Sequence, residues 1–214
     1  MIPIQPRSSY SNFKRIVTSE DWFEVYEIAA NLFVFHEPCH YEATIVNLII
    51  GEQKAALIDT GCGIANLRQA VEEVTNKPVI VINTHTHLDH LGSNCQFDEI
   101  AMFDHPLSHH VAEKGVSHKI LQTEILAENL VTKPWPRGFD PSGVSIPSLR
   151  VSHWLRDGEQ VNLGGKDLKV IHTHLAKHPT TFAFSIKLTD CYSAGIFCSM
   201  VLCGRTWMAA VWRP

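Results

Sequence analysis

Between residues 83 and 90 the chain reads Asn-Thr-His-Thr-His-Leu-Asp-His. His85, His87, Asp89 and His90 fall within six residues, and no other stretch limits the possible folds as much. Neutral imidazoles are seldom crowded this way unless they share a cation. The preceding Val79-Ile80-Val81-Ile82 is β-branched and reads as a buried strand. Metal-ligand side chains are thus expected where a rigid strand ends. His85 and His87 are two apart, so extended backbone turns them the same way, while Asp89 and His90 follow a turn and approach from another side. Imidazole with carboxylate suits zinc, iron or manganese better than magnesium or calcium.

Upstream, Phe23 to Ile28, Leu32 to His36, Thr44 to Ile50 and Lys54 to Ile58 read as strands. Glu37 to Glu42 reads as a polar loop. Either His40 or Tyr41 touches substrate from it, or it is an ordinary surface loop. Ile64, Leu67, Val71 and Val74 recur at helical spacing, and Asn76-Lys77-Pro78 stops that helix. The resulting β-α-β unit implies parallel strands. Downstream, Ile100 to Phe103 reads as a strand and His118 to Leu130 as a helix. Val151 to Leu155, Gln160 to Leu163 and Leu168 to Thr173 read as strands of a second sheet. His105, His109 and His110 read as surface or supporting groups. Trp135 and Phe139, in a Pro- and Gly-rich loop, either form an apolar lid or pin the loop to the core.

The pattern His-x-His-x-Asp-His at 85–90 resembles the signature of the metallo-β-lactamase fold superfamily. Asp59-Thr60-Gly61 after the strand Ala55 to Ile58 resembles its second motif, and Leu168 to Thr173 resembles the strand that enters its third. The resemblance spans roughly residues 21 to 173. It implies an α/β fold, the four-layer αββα sandwich, with a second half that is incomplete or atypical. It also implies a metal-dependent hydrolase using a metal-bound hydroxide. His85 and His87 would hold one ion, Asp89 and His90 a second, with Asp89 also orienting the hydroxide. Asp59 would support the loop without binding metal. The ions implied are one or two Zn2+, with iron or manganese as alternatives. Likeness to acyl-thioesterase-like members points to a small-molecule thioester or related ester as substrate.

After Thr173 the family pattern is lost. His172-Thr173-His174-Leu175-Ala176-Lys177-His178 stands where the family has His-Thr-Pro-Gly-His, and no in-register Gly-Asp follows. His178, or failing it His174, is the expected stand-in for the third ligand of the first site. Residues 174–214 carry four Lys or Arg and a single Asp, a shift from the acidic balance before them. Read one base out of frame, Lys177 to Thr180 permits Thr-Pro-Asp and Ala194 to Phe197 permits Gly-Asp-Ile, so a frame shift or an alternative exon is expected there. The expected division is an arm (1–20), a metallo-β-lactamase-like body (21–173) and an atypical tail (174–214). The alternative function is an impaired or inactive remnant that binds metal weakly at most. Loss of the usual second half would expose apolar surface, so self-association is expected. A monodisperse, cooperatively melting monomer in light scattering and calorimetry counts against it.

Composition sets outer limits. A net charge of −4 argues against a nucleic-acid partner, which would call for a basic face. No apolar run approaches the roughly 20 residues of a transmembrane helix. The first ten residues lack a signal-peptide core, and the six cysteines show no Cys-x-x-Cys spacing, so a cytoplasmic setting with reduced thiols is expected.

Overall fold

A computed structural model describes residues 10 and 12–172, together with the backbone of the strands Phe182–Ile186, Cys198–Cys203 and Thr206–Val211. Eight strands form the first sheet in sequential order: β1 (Lys14–Ile16), β2 (Glu24–Ala29), β3 (Leu32–His36), β4 (Ile45–Ile50), β5 (Ala55–Ile58), β6 (Val79–Ile82), β7 (Glu99–Phe103) and β8 (His153–Leu155). Pairing is antiparallel from β1 to β5 and parallel from β5 to β8. The helix α1 (Leu67–Glu72) makes the crossover from β5 to β6, and α2 (Pro106–Lys114) with α3 (His118–Glu124) lies between β7 and β8. A second sheet pairs β9 (Gln160–Asn162), β10 (Asp167–His172) and β11 (Phe182–Ile186). The last two strands, β12 (Cys198–Cys203) and β13 (Thr206–Val211), pair with each other.

The central strands read as unbroken hydrophobic runs because both of their faces are covered. Alternation along each strand sorts them. Val46, Leu48, Leu57, Val81, Ile100 and Met102 enter one core, shared with Leu67, Ala70 and Val71 of α1 and Leu121 of α3. Ile49, Ala56, Ile58, Ile80, Ile82 and Ala101 enter the other, shared with Val161, Leu163, Leu168 and Val170 around the second sheet. Helices, first sheet and second sheet are three of the four αββα layers. Gln160, Asn162, Asp167, Lys169 and Ile171 of the second sheet are exposed.

Several expectations need correction. The segment ending at Leu155 joins the first sheet, parallel to β7, rather than the second. Its place depends on the α2–α3 crossover, a tertiary fact that strand periodicity does not carry. The helix α2 went unpredicted; it buries only Ser108 and Ala112 and so has little apolar stripe to read. Its start is set by Pro106 in the first turn and by His105, whose side chain accepts a hydrogen bond from the Leu107 N–H. The helix expected over 118–130 ends at Glu124, and a 3-10 turn covers Glu128–Leu130. Trp135 and Phe139 pack against the first core, Trp135 stacking on Trp22 at 6.4 Å, so these rings pin their loop.

Candidate metal centre

The strands β5 and β6 run in register from Ala55↔Val79 to Ile58↔Ile82, so both end at one level. Asp59 and Asn83 leave the sheet side by side, with the Asp59 N–H donating to the Ile82 carbonyl at 3.0 Å and the Asn83 N–H to the Ala101 carbonyl at 3.1 Å. Carboxyl ends of parallel strands are where open α/β sheets place their chemistry. Asp59 is buried and has φ +65°, a left-handed conformation that Asp tolerates better than most residues.

That turn aims the Asp59 carboxylate across the metal loop. Oδ1 accepts from the Thr84 N–H at 2.7 Å, and Oδ2 accepts from Thr84 Oγ1 at 2.7 Å. Oδ2 also lies 2.8 Å from His90 Nδ1. Thr84 Oγ1 in turn sits 2.9 Å from His85 Nδ1. One carboxylate therefore fixes two imidazoles, His90 directly and His85 through Thr84, and leaves the Nε2 atom of each pointing the other way. Oriented acceptors behind ligating histidines are what a metal site requires.

On the other side the donor atoms form two close pairs. His85 Nε2 and His87 Nδ1 are 3.1 Å apart, and His90 Nε2 and Asp89 Oδ2 are 3.2 Å apart. Two ligands of a tetrahedral zinc, each about 2.0–2.1 Å from the ion, would stand about 3.3 Å apart. The rings of His85 and His90 lie 4.0 Å apart between centroids. Asp59, His85 and His90 also offer donor atoms within 4.8 Å of one another. Asp59 is the weaker ligand candidate of that trio, since both its oxygens already accept bonds from Thr84 and His90. Imidazole and carboxylate donors of this kind suit a divalent metal, and the group whose donor atoms come together is Asp59, His85 and His90. His85 and His90 are buried, Asp89 is half-buried and His87 is exposed, so the site opens to solvent at His87.

A polar layer beneath holds the loop. The Asn83 and Asn94 amides bond reciprocally at 2.8 and 3.1 Å, and Thr60 Oγ1 donates to Asn94 Oδ1 at 2.7 Å. The His90 carbonyl accepts from the Thr60 N–H at 3.0 Å and from Asn83 Nδ2 at 3.0 Å. All these groups are buried and mutually satisfied, which rigidifies a loop without regular structure. Asn83, Thr84 and Asn94 flank the ligands in sequence but had no expected role at the metal. Their position beside the motif was the available signal.

Electrostatics separate the histidines. Burial, reinforced by the charge on His90, lowers the His85 pKa to about 3 and keeps that ring neutral. Burial also works against charge on His90. The Asp59 carboxylate overrides it, with help from Asp89, and raises that ring to about 10. Burial works against the Asp89 carboxylate too, but the hydrogen bond and charge of His90 bring it down to about 2. Without metal, His90 is therefore an imidazolium between two carboxylates, and a metal must displace its Nε2 proton. His85 is already neutral and Asp89 already ionised from about pH 4 to about pH 10. Within that window the deprotonation of His90 contributes a rise of about tenfold per pH unit to the apparent Zn2+ affinity. Calorimetric titration in two buffers of different protonation enthalpy should count about one proton released per first zinc near pH 7. Release of none would contradict this charge state.

The other histidines fall elsewhere. His40 belongs to neither expected reading: it is fully buried, with Nε2 3.0 Å from the Ile125 carbonyl and Nδ1 3.4 Å from Cys62 Sγ. Tyr41 is exposed. His109 bonds Asp104 at 2.8 Å and stacks on Trp154 at the surface, while His105 starts α2. His174, His178 and the segment read as out of frame lie outside the described residues.

A sequence profile of the metallo-beta-lactamase superfamily matches residues 43–187. The chain belongs to the metallo-beta-lactamase superfamily. The match includes Asp59 and the whole of 83–90, and it runs past residue 173. Among curated relatives, proteins of human and chicken, both described as acyl-coenzyme A thioesterase MBLAC2, are 25% identical to it over 166 and 163 residues. Each alignment covers 71% of this chain, and the chain spans 58% and 57% of the length of those relatives. Among solved structures, a metallo-beta-lactamase from Cronobacter sakazakii superposes with a TM-score of 0.55 at 17% identity, covering 78% of this chain and 60% of its own. A beta-lactamase from Chitinophaga pinensis superposes with a TM-score of 0.54 at 15% identity, covering 89% and 63%. At such identities these superpositions establish the shared superfamily fold alone.

Proposed function

We propose that the chain is a metal-dependent hydrolase of thioesters or related esters. The observation that carries the reading is the pairing of His85 Nε2 with His87 Nδ1 and of His90 Nε2 with Asp89 Oδ2, with the His85 and His90 rings side by side and Asp59 orienting both from behind. Zinc is the metal proposed, one ion or two, with iron or manganese as alternatives that the same donors accept. Bound there, the metal would lower the pKa of a water and polarise a carbonyl. The remaining tasks fall to the chain. Asp89 stays ionised to about pH 2 and so offers an acceptor to orient the attacking water at neutral pH. His85 and His90 are held in fixed ring orientations by Thr84 and Asp59. His178 is proposed as a third ligand of the first site.

The thioester preference rests on the curated relatives, described as acyl-coenzyme A thioesterases. The charge of −4 disfavours a polyanionic substrate such as nucleic acid. We take residues 21–173 as the body that carries this activity, with 1–20 as an arm whose Lys14–Ile16 adds the edge strand, and 174–214 as a replaced second half.

The deciding experiment reloads chelated protein with Zn2+ and assays a panel of acyl-coenzyme A thioesters. Turnover that disappears on chelation and returns with about two zinc equivalents supports the proposal. A second reading, a remnant of the fold with weak metal binding, is favoured by His172-Thr173-His174-Leu175 standing where the family motif has His-Thr-Pro-Gly. It predicts less than one equivalent and no turnover. Thioester hydrolysis indifferent to chelation would contradict both.

A further inference from the structure

Glu37 follows β3 in a loop whose sequence suggests nothing but solvent, yet its side chain is fully buried. Two N–H groups hold it. Trp22 Nε1 donates to Oε1 at 2.9 Å and the Cys62 backbone N–H donates to Oε2 at 2.9 Å. No lysine or arginine among the described residues pairs with it; the titratable neighbour is His40, whose Nδ1 accepts from the Glu42 N–H. A buried carboxylate so poorly compensated is costly, and a well-packed apolar side chain would serve stability as well or better. What an apolar side chain would not supply is an acceptor for the Cys62 N–H.

Cys62 lies in the turn that carries Asp59 to the metal loop, and that turn is pressed from two sides. Gly61 has φ +69°, and a Cβ on it would stand 2.6 Å from Glu37 Oε2. On the opposite side a Cβ on Gly92, two residues past His90, would stand 2.2 Å from the Cys62 carbonyl carbon and 2.3 Å from the Gly63 nitrogen. The Gly92 N–H donates to the Gly61 carbonyl at 2.9 Å. The turn is thus sandwiched between the Glu37 carboxylate and the backbone just after the last histidine of the motif. Cys62 itself has no chemistry to offer. Burial, then the Glu37 charge, pushes its thiol well above the ordinary range.

We infer that Glu37 is a positioning residue for the metal centre: its carboxylate clamps the 59–63 turn from behind and so fixes Asp59, which in turn fixes His90 and His85. The inference rests on the metal reading of those histidines. It assigns Trp22 a second task besides filling the core, that of holding the clamp in place through its indole N–H. Burial pushes the Glu37 carboxyl up, while the Cys62 N–H, the His40 ring and the Trp22 N–H favour its charged form. The clamp thus depends on both donors.

The test measures Zn2+ affinity of the full chain by competition with a chromophoric chelator, below the melting range of every variant, alongside the visible spectrum of the Co2+-loaded form. Glu37→Gln keeps the volume but puts an NH2 group where one N–H must find an acceptor. It is expected to weaken zinc roughly tenfold and to shift or broaden the cobalt bands, the effect of a displaced supporting shell. Val161→Ala, a cavity in the second core, is the control: it should lose stability without changing zinc affinity or the cobalt spectrum. Should Glu37→Gln fail to fold, Trp22→Phe carries the test by removing the N–H that donates to Glu37 Oε1, its loss of ring volume being judged against the Val161→Ala cavity, with a loss of about threefold expected. Wild-type affinity and spectrum in whichever of Glu37→Gln and Trp22→Phe folds overturn the inference and leave the metal site standing. A wild-type chain that binds no zinc overturns the metal reading and this inference with it.

Discussion

Replacement of Asp59 by alanine is expected to weaken metal binding and to remove a large part of the stability of the loop beneath it. The Thr84 N–H, Thr84 Oγ1 and His90 Nδ1 would lose their common acceptor in a buried setting. Loss of one partner from such a buried charged network costs about 3–5 kcal/mol. Alanine at φ +65° adds strain, because a Cβ without a local hydrogen bond gains nothing there. Zinc affinity should fall by about a hundredfold, the upper range for an orienting residue. Asn at the same position tolerates the backbone, so Asp59→Asn should recover part of the stability and little of the affinity. Urea unfolding midpoints, read with zinc competition, check this. An alanine variant with unchanged midpoint and zinc affinity would show that Asp59 merely ends a strand.

His87 allows the metal to be separated from the fold. It is exposed, whereas His85 is buried and bonded to Thr84. Structural zinc sites are bound by about 10–16 kcal/mol over four ligands, which makes one ligand worth on the order of 3 kcal/mol, about a hundredfold or more in affinity. His87→Ala should therefore lose zinc, and with it hydrolysis, while the metal-free melting curve shifts by no more than about 0.5 kcal/mol. His85→Ala should lose the same affinity and destabilise the metal-free chain as well. Equal zinc content in wild type and His87→Ala would remove His87 from the proposed ligand set.

The legible features of the sequence were those encoded locally. Val79 to Ile82 reads as a strand in isolation, and the histidines after it keep their meaning wherever the strand lies. The stop at Asp59 and the helix that returns the chain to β6 are marked by glycines and by apolar spacing. Sheet membership was not local: β8 looks like its successors β9 and β10 but pairs with β7, some fifty residues earlier, because two helices bring it there. Burial of polar residues was equally hidden. Glu37 and His40 belong to a hydrophilic hexapeptide, and their partners Trp22, Cys62 and Ile125 are 15, 25 and 85 residues away. Nothing in the hexapeptide itself announces those partners. The amide pair of Asn83 and Asn94 was missed for a milder reason: each is an ordinary turn residue until the other is placed against it.

The central claim is that His85, His87, Asp89 and His90 together grip a divalent cation. Elemental analysis of the purified full chain, chelated, reloaded with Zn2+ and freed of excess, tests it most directly when His87→Ala is run beside it. At least one zinc is expected to be retained per wild-type chain, with a clear deficit in the variant. Zinc absent from both, or retained equally by both, would contradict it.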